Sequence, residues 1–298
     1  MISSGVVYNR FMPTQHEQLT GLIRVLKYYA FFRYAATSDD IYIAYPYKVS
    51  RHHMELILHT AVAEKRILTK DVAGTSYYTL PPQGITLHEI ERKIKTANEK
   101  LAAVNLFLSV TKYLAPVHLV GLSGSLAMKN SGKNDDVDFF VISAPGQVWT
   151  VRILLLLLAT ILGLRRKRGV KNAPGKVCLN LFFDGSDLAV PDHKRTLYIA
   201  HEIAHMKPQI VKNSIYERFL EANSWVYTFL TNMTRPQIAP QTAHYSRVRL
   251  NPLSSLLELL FKKLQQKIIA KHLINELVSN TQMWFYPDDF ERKMKNML

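Results

Sequence analysis

The sequence is short of cysteine, of acid and of long apolar runs. Cys178 is the single cysteine in 298 residues. That excludes an internal disulfide and fits a reducing compartment, so a cytoplasmic location is expected. The longest uncharged apolar stretch, Ile153 to Leu164, covers 12 residues, against the roughly 20 that a spanning helix needs. No membrane span is therefore expected. The length favours a buried core helix. The rival reading is an interfacial helix, because Arg152 precedes the stretch and Arg165 to Arg168 follow it, where a basic end would meet anionic lipid. The first residues, Met1 to Gln15, lack the basic-then-apolar order of a secretory leader. No internal repeat and no low-complexity tract is visible.

Acid is outnumbered, with 23 acidic against 38 basic side chains and a net charge of +15. An excess of this size attracts polyanions: nucleic acid, nucleotides or membrane surfaces. It is spread over several segments and names none of them. With 48% hydrophobic and 20% charged residues, the chain reads as globular rather than disordered, and its length accommodates two or three compact units.

Three stretches differ in pattern. In residues 1–85, Thr14 and Glu17 have capping-box spacing ahead of a helix carrying Leu19, Leu22, Ile23, Leu26 and Tyr29. A short helix near Asp39 to Tyr45 stops at Pro46. Ser50 stands as the cap of a third helix with Met54, Ile57, Leu58 and Ala61 on one face. The runs from Arg66 to Thr69 and Ser76 to Leu80, joined at Ala73-Gly74, predict a hairpin. Three helices followed by a hairpin resemble a winged helix-turn-helix domain in layout. His52 and His53, beside Arg51, begin the third helix, where they would be exposed or touch phosphate. Thr86 and Glu89 open a long bridging helix over 86–114.

The segment that carries chemistry is Val117 to Ser143. Val117 to Leu122 predicts a strand that stops at Ser123-Gly124-Ser125. A helical turn and a polar loop follow, and Asp136 to Ile142 predicts a second strand. Alternation puts Asp136, Asp138 and Phe140 on one face, and Val137, Phe139 and Val141 on the other. Two carboxylates side by side on a buried strand repel unless a cation stands between them. Carboxylates, water and substrate phosphate are the ligands magnesium prefers. A surface turn and a plain strand start are the alternative.

Gly124-Ser125 after one strand, then ten residues, then Asp136-Val137-Asp138 at the next, resembles the polymerase-β-like nucleotidyltransferase superfamily. The likeness is close over about thirty residues and looser over about ninety. It implies an α/β (α+β) domain over 115–206, with a small mixed sheet and flanking helices. It also implies Mg2+ or Mn2+ on Asp136 and Asp138, and a nucleoside triphosphate whose phosphates meet Gly124 and Ser125. A nucleoside monophosphate would pass to an acceptor that the resemblance leaves open; the net charge and the winged-helix layout point to nucleic acid. A third carboxylate is expected on a later strand, Lys176 to Asp184. There Cys178, Asn180, Phe182 and Asp184 share a face by alternation, Asn180 stands mid-strand, and Asp184 at the end is the candidate third ligand. Lys129, Arg152 and Lys176 are candidate phosphate contacts or plain surface cations.

A competing motif is His201-Glu202-Ile203-Ala204-His205, the H-E-x-x-H pattern of zinc metallopeptidases. On a helix its two histidines would bind zinc, with Glu202 as general base and Glu217 or Glu221 as third ligand. An ordinary amphipathic helix with two histidines is the favoured explanation, and the zinc site the lesser one. Residues 207–298 are expected to be helical, from Ile215 to Leu230 and from Leu253 to Val278, with a proline-rich loop from Thr234 to Pro252. Lys262, Lys263, Lys267 and Lys271 form either a solvated face or a nucleic-acid track. The alternative to an active transferase is a winged-helix module, binding nucleic acid or protein, with a degenerate transferase domain. The oligomeric state is left open.

Overall fold

The computed structural model describes residues 13–82, 85–166, 170, 173–236, 251–271 and 277–285. The expected loop beyond residue 236, the basic residues Lys167 and Arg168, and the first twelve residues lie outside the described residues. The fold mixes helices with small sheets and divides into two units, Met1–Ile85 with Leu230–Asn232, and Thr86–Phe229 with Met233–Leu298.

The first unit runs α1 (Gln15–Phe31), β1 (Ala36–Thr37), α2 (Ser38–Ala44), α3 (Arg51–Ala63), β2 (Leu68–Val72) and β3 (Thr75–Thr79). Its helices start where the caps predict. Thr14 Oγ1 accepts from the Glu17 amide at 3.3 Å while the Glu17 carboxylate accepts from the Thr14 amide at 2.8 Å. Ser50 Oγ accepts from the His53 amide at 3.1 Å. Each cap stabilises its helix by about 1 kcal/mol. Thr37 and Asp40 add a second capping box at α2. The sheet order is β1-β3-β2, all antiparallel. Ala73 and Gly74, at φ 49° and 78°, make the tight turn of the β2–β3 hairpin. Asn232 closes this unit, accepting from the Val49 amide at 3.0 Å and donating to Tyr47 O at 2.8 Å.

The second unit begins with α4 (Leu87–Ala103) and α5 (Asn105–Thr111). The single bridging helix predicted from the sequence breaks at Val104, which leaves helical geometry at φ −95°, ψ 2°. Beyond the break Phe107 stacks on Phe139, with ring centroids 5.7 Å apart. Then follow β4 (Val117–Leu122), α6 (Gly124–Ala127), β5 (Val137–Ser143), α7 (Val148–Ile161), β6 (Val177–Asp184), α8 (Leu197–His205), β7 (Lys207–Val211), α9 (Ile215–Ala222), α10 (Val226–Phe229), α11 (Pro252–Ala270), β8 (Leu277–Val278) and β9 (Gln282–Trp284).

The strands form a mixed sheet in the order β7-β4-β5-β6-β9-β8, with β5 and β6 parallel and the other pairs antiparallel. This corrects the expectation of helices and a loop alone over 207–298, because β7, β8 and β9 all come from that stretch. Pro208 ends the helix before it, yet it sits in β7 at the edge of the sheet, where a missing donor costs no ladder bond. The helix expected to reach Val278 ends at Ala270, and Leu277–Val278 pairs as a strand instead. The helix expected over 215–230 breaks at Asn223, whose buried amide accepts from the Val190 amide and donates to Leu188 O, both at 2.8 Å.

Both faces of the sheet are covered, which explains why β4 and β5 read as almost continuous apolar runs. On one face Val137, Phe139, Val141 and Phe182 pack with Trp149, Val151, Leu155 and Ala159 of α7. The apolar stretch of α7 is therefore core, although Leu157 and Ile161 stay 53% and 80% exposed. On the other face Phe140, Phe183, Phe219 and Trp284 form an aromatic cluster with centroids 5.0 to 5.8 Å apart. Among the described residues no helix is long and apolar enough to cross a membrane.

Candidate functional site

Antiparallel pairing of β4 with β5 sets the end of one strand beside the start of the other. Leu122 pairs with Phe139, and the Ser123 amide donates to Asp138 O at 3.0 Å. The chain then turns at Gly124, φ +59°, into α6. A Cβ added there would stand 3.0 Å from Asp138 Oδ2. Glycine is favoured twice over, by its backbone angle and by the nearness of the carboxylate. The two halves of the predicted constellation, Gly124-Ser125 and Asp136/Asp138, are thus brought together.

Asp136, Asp138 and Cys178 each bring a donor atom within 4.8 Å of the others. Arg166 makes an ion pair with Asp136 and donates to Cys178 Sγ at 3.1 Å. Asp136 Oδ2 accepts no hydrogen bond of good geometry despite that ion pair. Asn180 Nδ2 donates to Asp138 Oδ1, and Cys178 Sγ donates to Asn180 Oδ1 at 2.8 Å. Burial raises the Asp138 carboxyl to about 7, with the charges of Asp136 and then Glu202 adding to the rise. Burial also raises the Cys178 thiol, and the nearby Asp138 adds to it, so the thiol keeps its proton.

Asp184, the candidate third ligand, is not among these groups. It pairs with Ser143 at the far end of the strands, whereas Asp138 pairs with Cys178. Its buried carboxylate accepts from the amides of Gly146 at 2.8 Å, Gln147 at 3.1 Å and Ser186 at 3.0 Å, and from Ser186 Oγ at 2.6 Å. It ties loops. The face assignment fails for a local reason: Phe139 pairs with Leu179 but Phe140 with Leu181, so Asn180 is the extra residue of a β-bulge. Beyond the bulge the alternation is shifted by one residue. Cys178 and Asn180 therefore stay on the Asp138 side, while Phe182 turns into the core against α7.

The carboxylate that does arrive comes from α8. Glu202 accepts from the Gly124 amide and from the Tyr198 hydroxyl, and burial raises it to about 7 in spite of those two bonds. Glu202 and Asp138 both line a cavity of about 150 Å³ with Tyr198, Phe140, Phe183 and Trp284. That volume is small beside the roughly 300–1,000 Å³ of typical ligand sites. The Ser125 hydroxyl, expected on a phosphate, donates to Asp135 Oδ2 at 3.2 Å. Carboxylates thus occupy the Gly124 amide and the Ser125 hydroxyl, two of the donors that the resemblance assigns to an anion.

Lys100 of α4 braces the loop before Asp136. Its buried ammonium donates to Ser131 Oγ at 3.0 Å, to Asp135 O at 2.6 Å and to Gly132 O. Burial lowers its pKa, opposed by the charges of Asp135, Asp136 and Asp138. Of the other candidate phosphate contacts, Lys176 donates to Gly163 O at 2.7 Å, Arg152 donates to Gln265 Oε1 at 2.6 Å, and Lys129 is exposed.

The H-E-x-x-H helix forms as predicted, but no third ligand joins its histidines. His201 and His205 are buried with rings stacked 5.6 Å apart. Among the described residues no group of three candidate ligands contains either of them. The motif drew attention to Glu202 for zinc chemistry, whereas the fold turns that side chain toward Gly124. Arg166 lay hidden in the basic run after α7; the Arg166 amide bonds Val177 O at 3.2 Å and holds the segment beside β6. Nothing in the sequence marked Lys100 apart from its helical neighbours.

No family model matches the chain, nor does any curated protein or any solved structure.

Proposed function

We propose that the chain is a metal-dependent nucleotidyltransferase that uses a nucleoside triphosphate. The observation that carries this reading is the approach of Gly124 to Asp138, with Asp136 beside it. The donors suit a hard divalent cation: two neighbouring carboxylates, Asp138 raised first by burial and then by the charge of Asp136, and an Asp136 oxygen without a hydrogen bond of good geometry. Cys178, a soft sulfur donor beside the two carboxylates, is a poor ligand for such a cation and stays outside the ligand set. With Mg2+ or Mn2+ on Asp136 and Asp138, the chemistry supplied is neutralisation of the triphosphate and a lowered pKa for the attacking hydroxyl. The acceptor hydroxyl gives up its proton to water, its oxygen forms a bond to the α-phosphorus, the α–β bridging P–O bond breaks, and pyrophosphate leaves with that bond's electron pair. The protein's part is to hold the groups in line. Lys100 fixes the loop carrying Asp136, Asn180 orients Asp138, and Arg166 balances the charge of Asp136.

The acceptor class we favour is nucleic acid. The first unit has the element order of a winged helix-turn-helix, and its β1-β3-β2 sheet supports that reading. Arg51 and His52 are exposed at the start of α3, where a recognition helix would meet phosphate.

A second reading rests on Asn180. It stands on β6 beside Asp138, where the resemblance expects an acid, and so favours a nucleic-acid-binding module whose transferase domain no longer turns over. Incubation with each labelled nucleoside triphosphate, Mg2+ or Mn2+ and RNA, DNA or the protein itself separates the two. Transfer that disappears in Asp136→Asn and in Asp138→Asn supports the enzyme. Tight nucleic-acid binding with no transfer from any nucleotide overturns it in favour of the module.

A further inference from the structure

We propose that the outward face of α11 is a docking surface for an anionic lipid bilayer, on which the helix lies in the plane of the headgroups. The inward face of α11 is accounted for. Glu258 accepts from the amides of Trp149 and Thr150 at 2.9 and 2.8 Å, and Gln265 Nε2 donates to Trp149 O at 2.8 Å. Ile269 is buried in the core. The opposite face is apolar, and no described residue covers it. Leu253, Leu256, Leu260, Leu264 and Ile268 are 66%, 53%, 51%, 52% and 55% exposed, at spacings of three and four residues that place them in one stripe. The neighbouring Leu257 is 37% exposed. An exposed stripe of this kind marks an interaction surface rather than scattered surface leucines.

Charge selects the occupant. Lys263, Lys267 and Lys271 are exposed along the C-terminal half of the helix. The one acid of α11, Glu258, is turned inward. The outward face of α11 in a second copy offers those lysines no acid. Laid parallel it brings like charge, and laid antiparallel it brings the uncharged end around Leu253. Nucleic acid would take the lysines and leave the leucines in water. A bilayer with anionic headgroups has an apolar layer for the leucines and, above it, negative charge for lysines whose stems reach upward. The net charge of +15 favours the same approach. The inference is independent of the chemistry proposed at Asp136 and Asp138.

Flotation of the full chain with vesicles of phosphatidylcholine alone, or with a quarter phosphatidylglycerol, tests it. The protein should float with the anionic vesicles and stay at the bottom with neutral ones, and binding should weaken as salt is added. The variant Lys263→Gln/Lys267→Gln/Lys271→Gln should bind about a hundredfold more weakly, at roughly fivefold per lysine. Leu260→Glu/Leu264→Glu should lose flotation while keeping its thermal midpoint, because both side chains are already in water. Absence of binding to anionic vesicles, or equal binding to neutral ones, overturns the proposal. So does a dimer in sedimentation equilibrium that Leu260→Glu/Leu264→Glu dissociates, which would make a second copy the occupant. The lysine variant keeps the test decisive if the leucine variant fails to fold.

Discussion

Neutralising Asp138 should stabilise the folded chain at alkaline pH and do nothing for it in mild acid. The carboxyl is raised from 3.8 to about 7, first by burial and then by the charges of Asp136 and Glu202. In the unfolded chain an aspartate loses its proton near 3.9. Between roughly pH 4 and pH 7 the folded state therefore holds a proton that the unfolded state has lost. Stability from this group is fully present at the acid end, falls as pH rises through the window, and reaches its floor above about 7. The rise corresponds to at most about 4 kcal/mol at 1.36 kcal/mol per pH unit. Asp136 and Glu202 share the same repulsion and ease when it is relieved, so about 2 kcal/mol is the expected gain of Asp138→Asn at pH 8. The substitution keeps the shape, and its carbonyl still accepts from Asn180. Urea unfolding followed by tryptophan fluorescence at pH 4.5, 6, 7 and 8 reads the difference directly, since Trp284 lines the cavity. The variant should match the wild type at pH 4.5 and exceed it increasingly toward pH 8. Adding Mg2+ at pH 8 should raise the wild-type midpoint and leave the variant unmoved. A variant less stable than wild type at every pH, or a difference that does not change with pH, would refute the reasoning.

Gly124→Ala should destabilise the chain by about 1–2 kcal/mol through its left-handed φ and weaken Mn2+ binding measured by electron paramagnetic resonance, because the new methyl meets Asp138 Oδ2 at 3.0 Å; unchanged Mn2+ affinity would count against the proposed site. Asp184→Asn should cost about 3 kcal/mol in chemical denaturation, since an amide nitrogen then faces the donors of Gly146, Gln147 or Ser186, while Mn2+ affinity stays as it was. Loss of Mn2+ binding at full stability would return Asp184 to the ligand set.

Much of the fold was legible because its signals act over a few residues. Thr14 with Glu17 and Ser50 with His53 are contacts three residues apart, and they place α1 and α3. The apolar runs of β4 and β5 follow from a sheet covered on both faces. Illegible were the strands β7, β8 and β9. Lys207–Val211 contains Pro208, and Leu277–Val278 continued a helical pattern, so only pairing with β4 for β7, with β9 for β8 and with β6 for β9 makes them strands. The break at Val104 was equally hidden, since local propensity favours continuing the helix and burial of Phe107 against Phe139 overrides it.

The candidate site divides in the same way. The sequence alone determined that Gly124-Ser125 would end one strand and Asp136-Val137-Asp138 begin the next. Strand alternation also set Asp138 on the face of Phe140, because side chains two residues apart share a side. Only the tertiary structure decided what surrounds that pair. The bulge at Asn180 kept an amide beside Asp138 and shifted the alternation of the residues beyond it, Asp184 included. The packing of α8 brought Glu202 to Gly124, and the segment beside β6 brought Arg166 to Asp136. These outcomes depend on register and packing between residues distant in the chain, 42 positions for Asn180 and Asp138, and no local pattern encodes them.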